Sequence, residues 1–86
     1  MTKAWSKGAW ESYLNWQKQD KKTLKRINDL VRDIEREPYS GIGKPEPLKA
    51  DLSGCWSREI DKKNRIVYRV DGDMLFIYQC GGHYGD

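Results

Sequence analysis

The strongest constraint on the fold lies in the last third of the chain, where apolar and polar residues alternate in three short segments. These segments cover residues 55–61, 65–71 and 74–80, and only a few residues separate each from the next. Alternation with a period of two predicts β-strands, and short connections between strands predict antiparallel hairpins. Gly72 lies between two aspartates in the second connection, where a tight turn needs positive φ angles. We therefore expect two consecutive hairpins, which form a meander.

The first part of the chain carries the apolar spacing of α-helices instead. Ser6 and Asp20 are suited to cap the N-termini of two helices, the first running to about Lys18 and the second ending before Pro38. The apolar residues of the second helix are Leu24, Ile27, Leu30, Val31 and Ile34. The expected packing stripe of the first helix is Trp10, Tyr13, Leu14 and Gln17.

A short strand is also expected at residues 3–6, ahead of the first helix. The predicted fold class is therefore α+β, with a short N-terminal strand and two helices packed on a mainly antiparallel β-sheet.

The size of the chain limits the kind of site it can hold. Its 86 residues, of which 37% are hydrophobic and 34% charged, fit one domain spanning residues 1–86. A domain of this size buries only about 60–65% of its unfolded surface, so we expect a shallow groove rather than a deep cavity. The longest apolar run, residues 74–78, is too short for a membrane helix, and the N-terminus lacks a secretory signal. We expect a cytoplasmic protein with no membrane partner.

Thiol and metal chemistry are both weakly supported by the sequence. Cys55 and Cys80 are the two cysteines, and reduced thiols are expected in a chain without an export signal. His83 is the single histidine, and no close Cys or His spacing accompanies it. We therefore predict no metal site and no cofactor.

Five basic residues lie around the start of the second helix: Lys18, Lys21, Lys22, Lys25 and Arg26. The candidate RNA-binding residues among them are Lys21, Lys22 and Lys25. Positive charge at a helix N-terminus opposes the helix dipole and costs about several tenths of a kcal/mol per residue, so stability alone does not favour it. Either this group binds RNA phosphates or it is an ordinary solvated helix face, and the sequence alone favours the second interpretation.

A second basic group accompanies the predicted sheet, and its candidate RNA-binding residues are Lys44, Lys49, Arg58 and Arg69. Arg58 and Arg65 fall on neighbouring strands of one predicted hairpin, so both guanidinium groups face a common groove if the register allows. The net charge of +3 suits an anionic partner without requiring one.

Four residues have the chemistry needed for metal-free cleavage of RNA. Glu46 lies between two prolines in a predicted rigid loop at residues 38–47. Arg65 starts a strand, and His83 and Tyr84 follow the last strand. Such cleavage needs a base for the 2′-hydroxyl proton, a cation for the phosphorane oxygens and an acid for the departing 5′-oxygen. Each residue also has a plainer explanation as a solvated, ion-paired or core-edge side chain, and these residues alone favour a small basic binding domain over a nuclease.

Several sequence blocks together resemble the YoeB/Txe family of bacterial toxins, within the RelE superfamily. The most specific blocks are Gly-Ile-Gly-Lys-Pro-Glu-Pro-Leu at residues 41–48 and His-Tyr at residues 83–84. Further matching blocks are Trp5-Ser6, Trp16-Gln17, Trp56-Ser57-Arg58 and Arg65-Ile66-Val67-Tyr68. The resemblance covers nearly the whole chain.

This resemblance implies a fold, an activity and a set of partners. Family members fold as helices packed on an antiparallel sheet, cleave mRNA in the ribosomal A site and are held inactive by a YefM-type antitoxin. By this resemblance Glu46 is the general base, Arg65 the phosphate clamp and His83 the general acid. Tyr84 positions the substrate or assists proton transfer. The resemblance also implies a homodimer, no metal ion, and products with a 2′,3′-cyclic phosphate and a 5′-hydroxyl.

Two places depart from the family pattern, and they lead us to expect slower cleavage. Glu59 stands where members commonly carry a second arginine, and Gly81 and Gly82 stand where the family tends to have a basic residue and an aromatic one. Two other functions remain as alternatives. One is a non-catalytic poison like the ParE-type gyrase inhibitors, which lack the Glu, Arg and His set, and the other is a ribosome- or RNA-binding module that does not cut.

Overall fold

A computed structural model describes residues 1–82 and shows two helices and one sheet. The helices are α1 (Lys7–Gln19) and α2 (Lys21–Arg36). The strands are β1 (Thr2–Trp5), β2 (Glu46–Pro47), β3 (Trp56–Glu59), β4 (Arg65–Asp71) and β5 (Met74–Cys80), with a 3₁₀ turn at Ala50–Leu52. The sheet order is β1-β5-β4-β3-β2; β1 pairs with β5 in parallel, and the other neighbouring pairs are antiparallel. The predicted α+β class with a mainly antiparallel sheet is confirmed.

Both helices begin at the predicted caps. Ser6 Oγ accepts a hydrogen bond from the backbone N–H of Ala9 at 3.0 Å. The Asp20 carboxylate accepts from the N–H groups of Lys22 and Thr23 at 3.1 and 3.2 Å. These bonds satisfy N–H groups that have no partner inside the helix, so short-range sequence is enough to set where each helix starts.

The β4–β5 hairpin also turns where predicted. Asp71 pairs with Met74 across a two-residue connection, and Gly72 within it has a φ of +59°. A glycine adopts this angle without the steric strain that a side chain would add. β3 is shorter than predicted, covering residues 56–59 instead of 55–61.

The main core lies between α2 and one face of the sheet. Its buried residues from these elements and the connection after β3 are Ile27, Leu30, Val31, Ile34, Ile60, Ile66, Tyr68, Leu75, Ile77 and Cys80. Full burial of an aliphatic side chain contributes about 1.5–3 kcal/mol, so the apolar face of α2 fixes this helix firmly to the sheet. No helix within residues 1–82 has the length and apolar character needed to cross a membrane.

α1 packs through a different stripe from the predicted one. Ala9 is buried, and Tyr13 and Trp16 pack against the main core. Trp10 and Leu14 are instead 45% and 38% exposed. The prediction was therefore right for Tyr13 and wrong for the rest of the stripe, because the small residue at position 9, and not its large neighbour, faces the sheet.

The opposite face of the sheet carries a smaller apolar cluster. Leu48, Cys55 and Val67 are buried there, and Leu52 packs against them. Cys80 lies in the main core, so the two cysteines are buried in separate clusters, and both are free thiols as predicted. Burial raises the pKa of the Cys80 thiol to about 12.

Candidate active site

Glu46 lies on a short strand and not in a loop. The sequence predicted a loop for residues 38–47, but Glu46–Pro47 forms β2 and pairs with β3, with Glu46 opposite Ser57. β2 is an edge strand, where a proline without an N–H group is tolerated. The pairing attaches the exposed Glu46 to the sheet and so holds its carboxylate beside β3.

Arg65 begins β4 and reaches the same surface as Glu46. Its Nε donates a hydrogen bond to Ser57 Oγ at 3.2 Å. One terminal nitrogen of the guanidinium lies 3.4 Å from Glu46 Oε1, and the other lies 3.9 Å from Glu59 Oε2. The Arg65 side chain is only 15% exposed. The structure therefore brings together two of the four candidate catalytic residues.

Ser57 and Glu59 complete the surroundings of Arg65. The sequence alone gives no reason to single out Ser57, and Glu59 stands out there only as a departure from the family pattern. Two positions apart on β3, they project from the same face of the strand, and Glu59 pairs directly with Arg65. This alternation, read together with the β3–β4 register, is the signal that would have identified both residues. The guanidinium of Arg65 thus lies between two carboxylates and is oriented by a buried hydroxyl group.

Arg58 does not belong to this surface. It pairs with Ile66 in the same register that pairs Glu59 with Arg65, so it projects from the opposite face of β3. Its side chain has no solvent exposure. The register therefore does not allow Arg58 to share a groove with Arg65, and the prediction that Arg58 contacts RNA was wrong, because adjacent residues on a strand face opposite sides of the sheet.

Arg58 instead anchors the chain segment that leads from α2 towards β2. Its guanidinium donates hydrogen bonds to the carboxylate of Asp33, the hydroxyl of Tyr68 and the carbonyl oxygens of Glu37, Ser40 and Ile42. Hydrogen bonds from Arg36 and Arg58 lower the pKa of Asp33 to about 2, so this carboxylate is charged at neutral pH. The network ties the segment before Glu46 to the core.

The chain after β5 runs alongside Arg65. The Gly81 N–H donates to the Arg65 carbonyl oxygen, and the Arg65 N–H donates to the Gly82 carbonyl oxygen, both at 2.9 Å. Pairing with β4 therefore continues for two residues beyond β5. The other two candidate catalytic residues, His83 and Tyr84, lie outside the described residues and follow Gly82 directly in the sequence.

The remaining candidate RNA-binding residues are all exposed: Lys21, Lys22, Lys25, Lys44, Lys49 and Arg69. Lys44 and Lys49 flank Glu46 along the chain. Lys22, at the start of α2, lines a groove of about 260 Å³ together with Asp61 of the β3–β4 connection. Cationic side chains thus accompany the segment around Glu46 and the end of the sheet where Arg65 begins β4.

A carboxylate and a guanidinium held within hydrogen-bond distance on one surface can accept a proton and bind an anion side by side. Within residues 1–82, no group of three or more His, Cys, Asp or Glu side chains is placed to hold a metal ion. With Glu46 as a base and Arg65 as a cation, this surface offers acid–base catalysis combined with electrostatic stabilisation of an anion.

Comparison with known proteins gives the family of the chain. A sequence model of the YoeB-like toxins of bacterial type II toxin–antitoxin systems matches residues 5–84. The chain belongs to this family. Toxin YoeB of Escherichia coli (strain K12) is 51% identical to it over 80 residues, which are 93% of this chain and 95% of the E. coli protein. The predicted resemblance to YoeB toxins is confirmed.

Solved structures of YoeB toxins have the same fold. The YoeB/ParE toxin from Agrobacterium tumefaciens gives a TM-score of 0.95 at 45% identity, over 98% of this chain and 100% of that one. YoeB from Staphylococcus aureus has been solved as a dimer and in a heterotetrameric YoeB–YefM complex. It gives a TM-score of 0.91 at 42% identity, over 98% of both chains. The YoeB fold thus extends over the described residues of this chain.

Proposed function

We propose that this YoeB-like toxin is an endoribonuclease that cleaves mRNA in the ribosomal A site and thereby inhibits translation. The observation that supports this most is the placement of Arg65 within 3.4 Å of Glu46 on one surface of the sheet. Attack of a ribose 2′-hydroxyl on the neighbouring phosphate needs a base and a cation at adjacent positions, and these two residues supply them.

In the proposed reaction, the Glu46 carboxylate removes the proton of the 2′-hydroxyl, and the freed oxygen attacks the adjacent phosphorus. The Arg65 guanidinium binds the non-bridging oxygens, where negative charge develops in the transition state. The bond to the 5′-oxygen then breaks, and this oxygen takes up a proton from a general acid. One fragment ends in a 2′,3′-cyclic phosphate and the other begins with a 5′-hydroxyl. Protein side chains carry out each proton transfer, so the scheme uses no metal ion.

We assign the general acid to His83 and a positioning or proton-transfer role to Tyr84, as the resemblance to the family implies. A histidine with an ordinary pKa of about 6.5 can donate a proton near neutral pH. The pairing of Gly82 with Arg65 supports this assignment, because it holds the residue that precedes His83 beside the proposed phosphate clamp.

The exposed cationic side chains are suited to contact RNA. We propose that they contact the phosphates of mRNA and ribosomal RNA: Lys21, Lys22, Lys25, Lys44, Lys49 and Arg69. Such contacts add affinity without reading the base sequence. When a substrate phosphate binds Arg65, it competes with the carboxylate of Glu59, and this competition supports the expectation of slower cleavage.

The partners follow from the family. S. aureus YoeB occurs in a complex with YefM and as a dimer. We propose that this chain likewise forms a homodimer and is inhibited by a YefM-type antitoxin that covers the Glu46–Arg65 surface. An acidic antitoxin segment suits the net charge of +3. Action on ribosomes places the toxin in the cytoplasm, with residues 1–86 acting as one domain.

The test is to incubate the protein with translating ribosomes on a defined mRNA and to map new 5′ ends by primer extension. The unaltered protein should cut within the A-site codon, whereas Glu46→Ala should bind ribosomes without cutting. Glu11→Ala, which removes an exposed carboxylate from α1, is the matched control and should cut normally. Ribosome binding without cuts by the unaltered protein would favour a binding module. No effect on ribosomes would favour another target, such as gyrase.

A further inference from the structure

The connection between β3 and β4 is a turn built around Asp61. The Asp61 carboxylate accepts hydrogen bonds from the N–H groups of Lys63 and Asn64 at 2.8 Å and from the Asn64 side-chain amide at 3.1 Å. Partial burial alone would raise the pKa of Asp61, but these hydrogen bonds lower it overall. The carboxylate therefore stays charged at neutral pH, and its bonds hold the Asn64 side chain in one orientation.

The same Asn64 side chain holds the chain segment after β5. Its nitrogen donates to Asp61, and its oxygen, Oδ1, accepts a hydrogen bond from the Gly82 N–H at 2.8 Å. The next residue, Arg65, bonds the Gly81 N–H and the Gly82 carbonyl oxygen. Asn64 of the turn and Arg65 at the start of β4 therefore bind three backbone groups of the two glycines.

Trp16 of α1 contacts the chain where β5 ends. Its indole N–H donates to the Cys80 carbonyl oxygen at 3.0 Å. Gly81 has a φ of +123°, and a Cβ there would lie 3.2 Å from the indole nitrogen. The conformation thus requires glycine, the residue with the greatest backbone freedom, and the surrounding hydrogen bonds restrict that freedom.

We infer that Asn64 is a positioning residue, which fixes the backbone of Gly82, the residue directly before His83 in the sequence. This inference rests on the proposed function, in which His83 is the general acid. Asn64 belongs to the turn and acts through Gly82, so it takes no part in the chemistry itself. Without it, Gly82 loses a hydrogen bond at the residue next to the proposed acid, and we expect the cleavage step to slow.

The test compares Asn64→Ala with Asn28→Ala in single-turnover cleavage of mRNA on programmed ribosomes. Asn28→Ala is the control, because it removes a side-chain hydrogen bond that does not involve Gly82: Asn28 Oδ1 accepts from the Tyr13 hydroxyl at 2.7 Å, between α1 and α2. Asn64→Ala should cleave about 10- to 100-fold more slowly at saturating ribosome concentration, with an unchanged half-saturating concentration. Asn28→Ala should stay within about twofold of the unaltered protein. Hydrogen exchange of the Gly82 amide, measured by NMR, should accelerate only in Asn64→Ala.

Equal cleavage by Asn64→Ala and the unaltered protein would overturn the inference, and so would an equal loss in Asn28→Ala. If Asn64→Ala does not fold, Asn64→Gln replaces it, because glutamine keeps the amide but displaces its oxygen by one methylene, and the same criteria apply. Absence of cleavage by the unaltered protein would overturn the proposed function and this inference with it. Normal cleavage by the unaltered protein and by the Asn64 variants would overturn the positioning role alone.

Discussion

Arg58 of β3 and Asp33 of α2 form an ion pair between two elements that pack on each other. The Arg58 side chain is fully buried, and the Asp33 side chain is 10% exposed. The Arg58 guanidinium also donates hydrogen bonds to three carbonyl oxygens of the segment after α2. This one buried side chain therefore holds in place the chain segment that leads from α2 towards Glu46.

Asp33→Asn should destabilise the fold strongly, because it leaves the Arg58 charge buried without its counterion. We expect the free energy of unfolding at pH 7 to fall by about 3–5 kcal/mol, measured by urea denaturation. Asp29→Asn is the matched control on the same helix, since Asp29 pairs with Lys25 at the surface, 3.0 Å away. Asp29→Asn should lower the free energy of unfolding by less than about 1 kcal/mol. Similar small losses in both variants would contradict the role given to the buried pair.

The same ion pair predicts how stability depends on pH. The pKa of Asp33 is lowered from 3.8 to about 2 in the folded state. Asp33 therefore makes its full contribution to the free energy of unfolding at pH values above its unfolded-state pKa, and this contribution declines as the pH falls towards its folded-state pKa. The difference in unfolding free energy between the unaltered protein and Asp33→Asn should therefore be constant above about pH 5 and shrink below about pH 4. A difference that grows on acidification would have the wrong sign.

Glu59→Gln should strengthen binding to ribosomes. Glu59 places a negative charge 3.9 Å from the Arg65 guanidinium, where a substrate phosphate must bind in the proposed reaction. Removal of a partly exposed charge of this kind should make the free energy of ribosome binding more favourable by about 0.2–1 kcal/mol, which is up to about fivefold in affinity. This gain in affinity should diminish with added salt. Glu11→Gln on α1 is the control for a simple change in net charge. An equal gain in both variants would mean that the position of Glu59 is irrelevant.

Reversing the charges of Lys21, Lys22 and Lys25 to glutamate should weaken ribosome binding and flatten its dependence on salt. Each lost phosphate contact should reduce the slope of log affinity against log salt by about 0.7–0.9. Arg32→Glu is the control, because it reverses a charge further along α2, where Arg32 pairs with Asp29 at 3.7 Å. For each reversed charge, it should change ribosome affinity and the salt slope less than the triple variant does. An unchanged slope in the triple variant would show that the start of α2 is only a solvated helix face.

The parts of the fold that depend on nearby residues could be predicted from the sequence. Ser6 and Asp20 cap helices through bonds to residues two or three positions away, and Gly72 turns a hairpin through its own backbone. The register between strands depends on contacts that the local pattern does not contain. The five-residue connection between β3 and β4 sets which residues face each other, and it places Arg58 and Arg65 on opposite faces.

The candidate site could be predicted only in part, for the same reason. Glu46 and Arg65 were identified by their chemistry and by the family resemblance, but β2 exists because β3 offers an edge to pair with, so the strand at Glu46 was missed. Ser57 and Asn64 act on residues 8 and 18 positions away, respectively, which no short motif specifies. The roles of His83 and Tyr84 stay predictions.

The most direct test of the proposed reaction uses ribosomes programmed with a short mRNA that carries a single 2′-deoxynucleotide on the 5′ side of the mapped cut. We expect the unaltered protein to cleave the all-ribose mRNA to a 2′,3′-cyclic phosphate and a 5′-hydroxyl, and we expect the deoxy substitution to abolish this cleavage. Glu46→Gln should lower the rate on the all-ribose mRNA by about 10²- to 10⁴-fold. Cleavage of the deoxy-substituted mRNA at the same position and rate would rule out the proposed reaction, because the attacking group would then not be the 2′-hydroxyl.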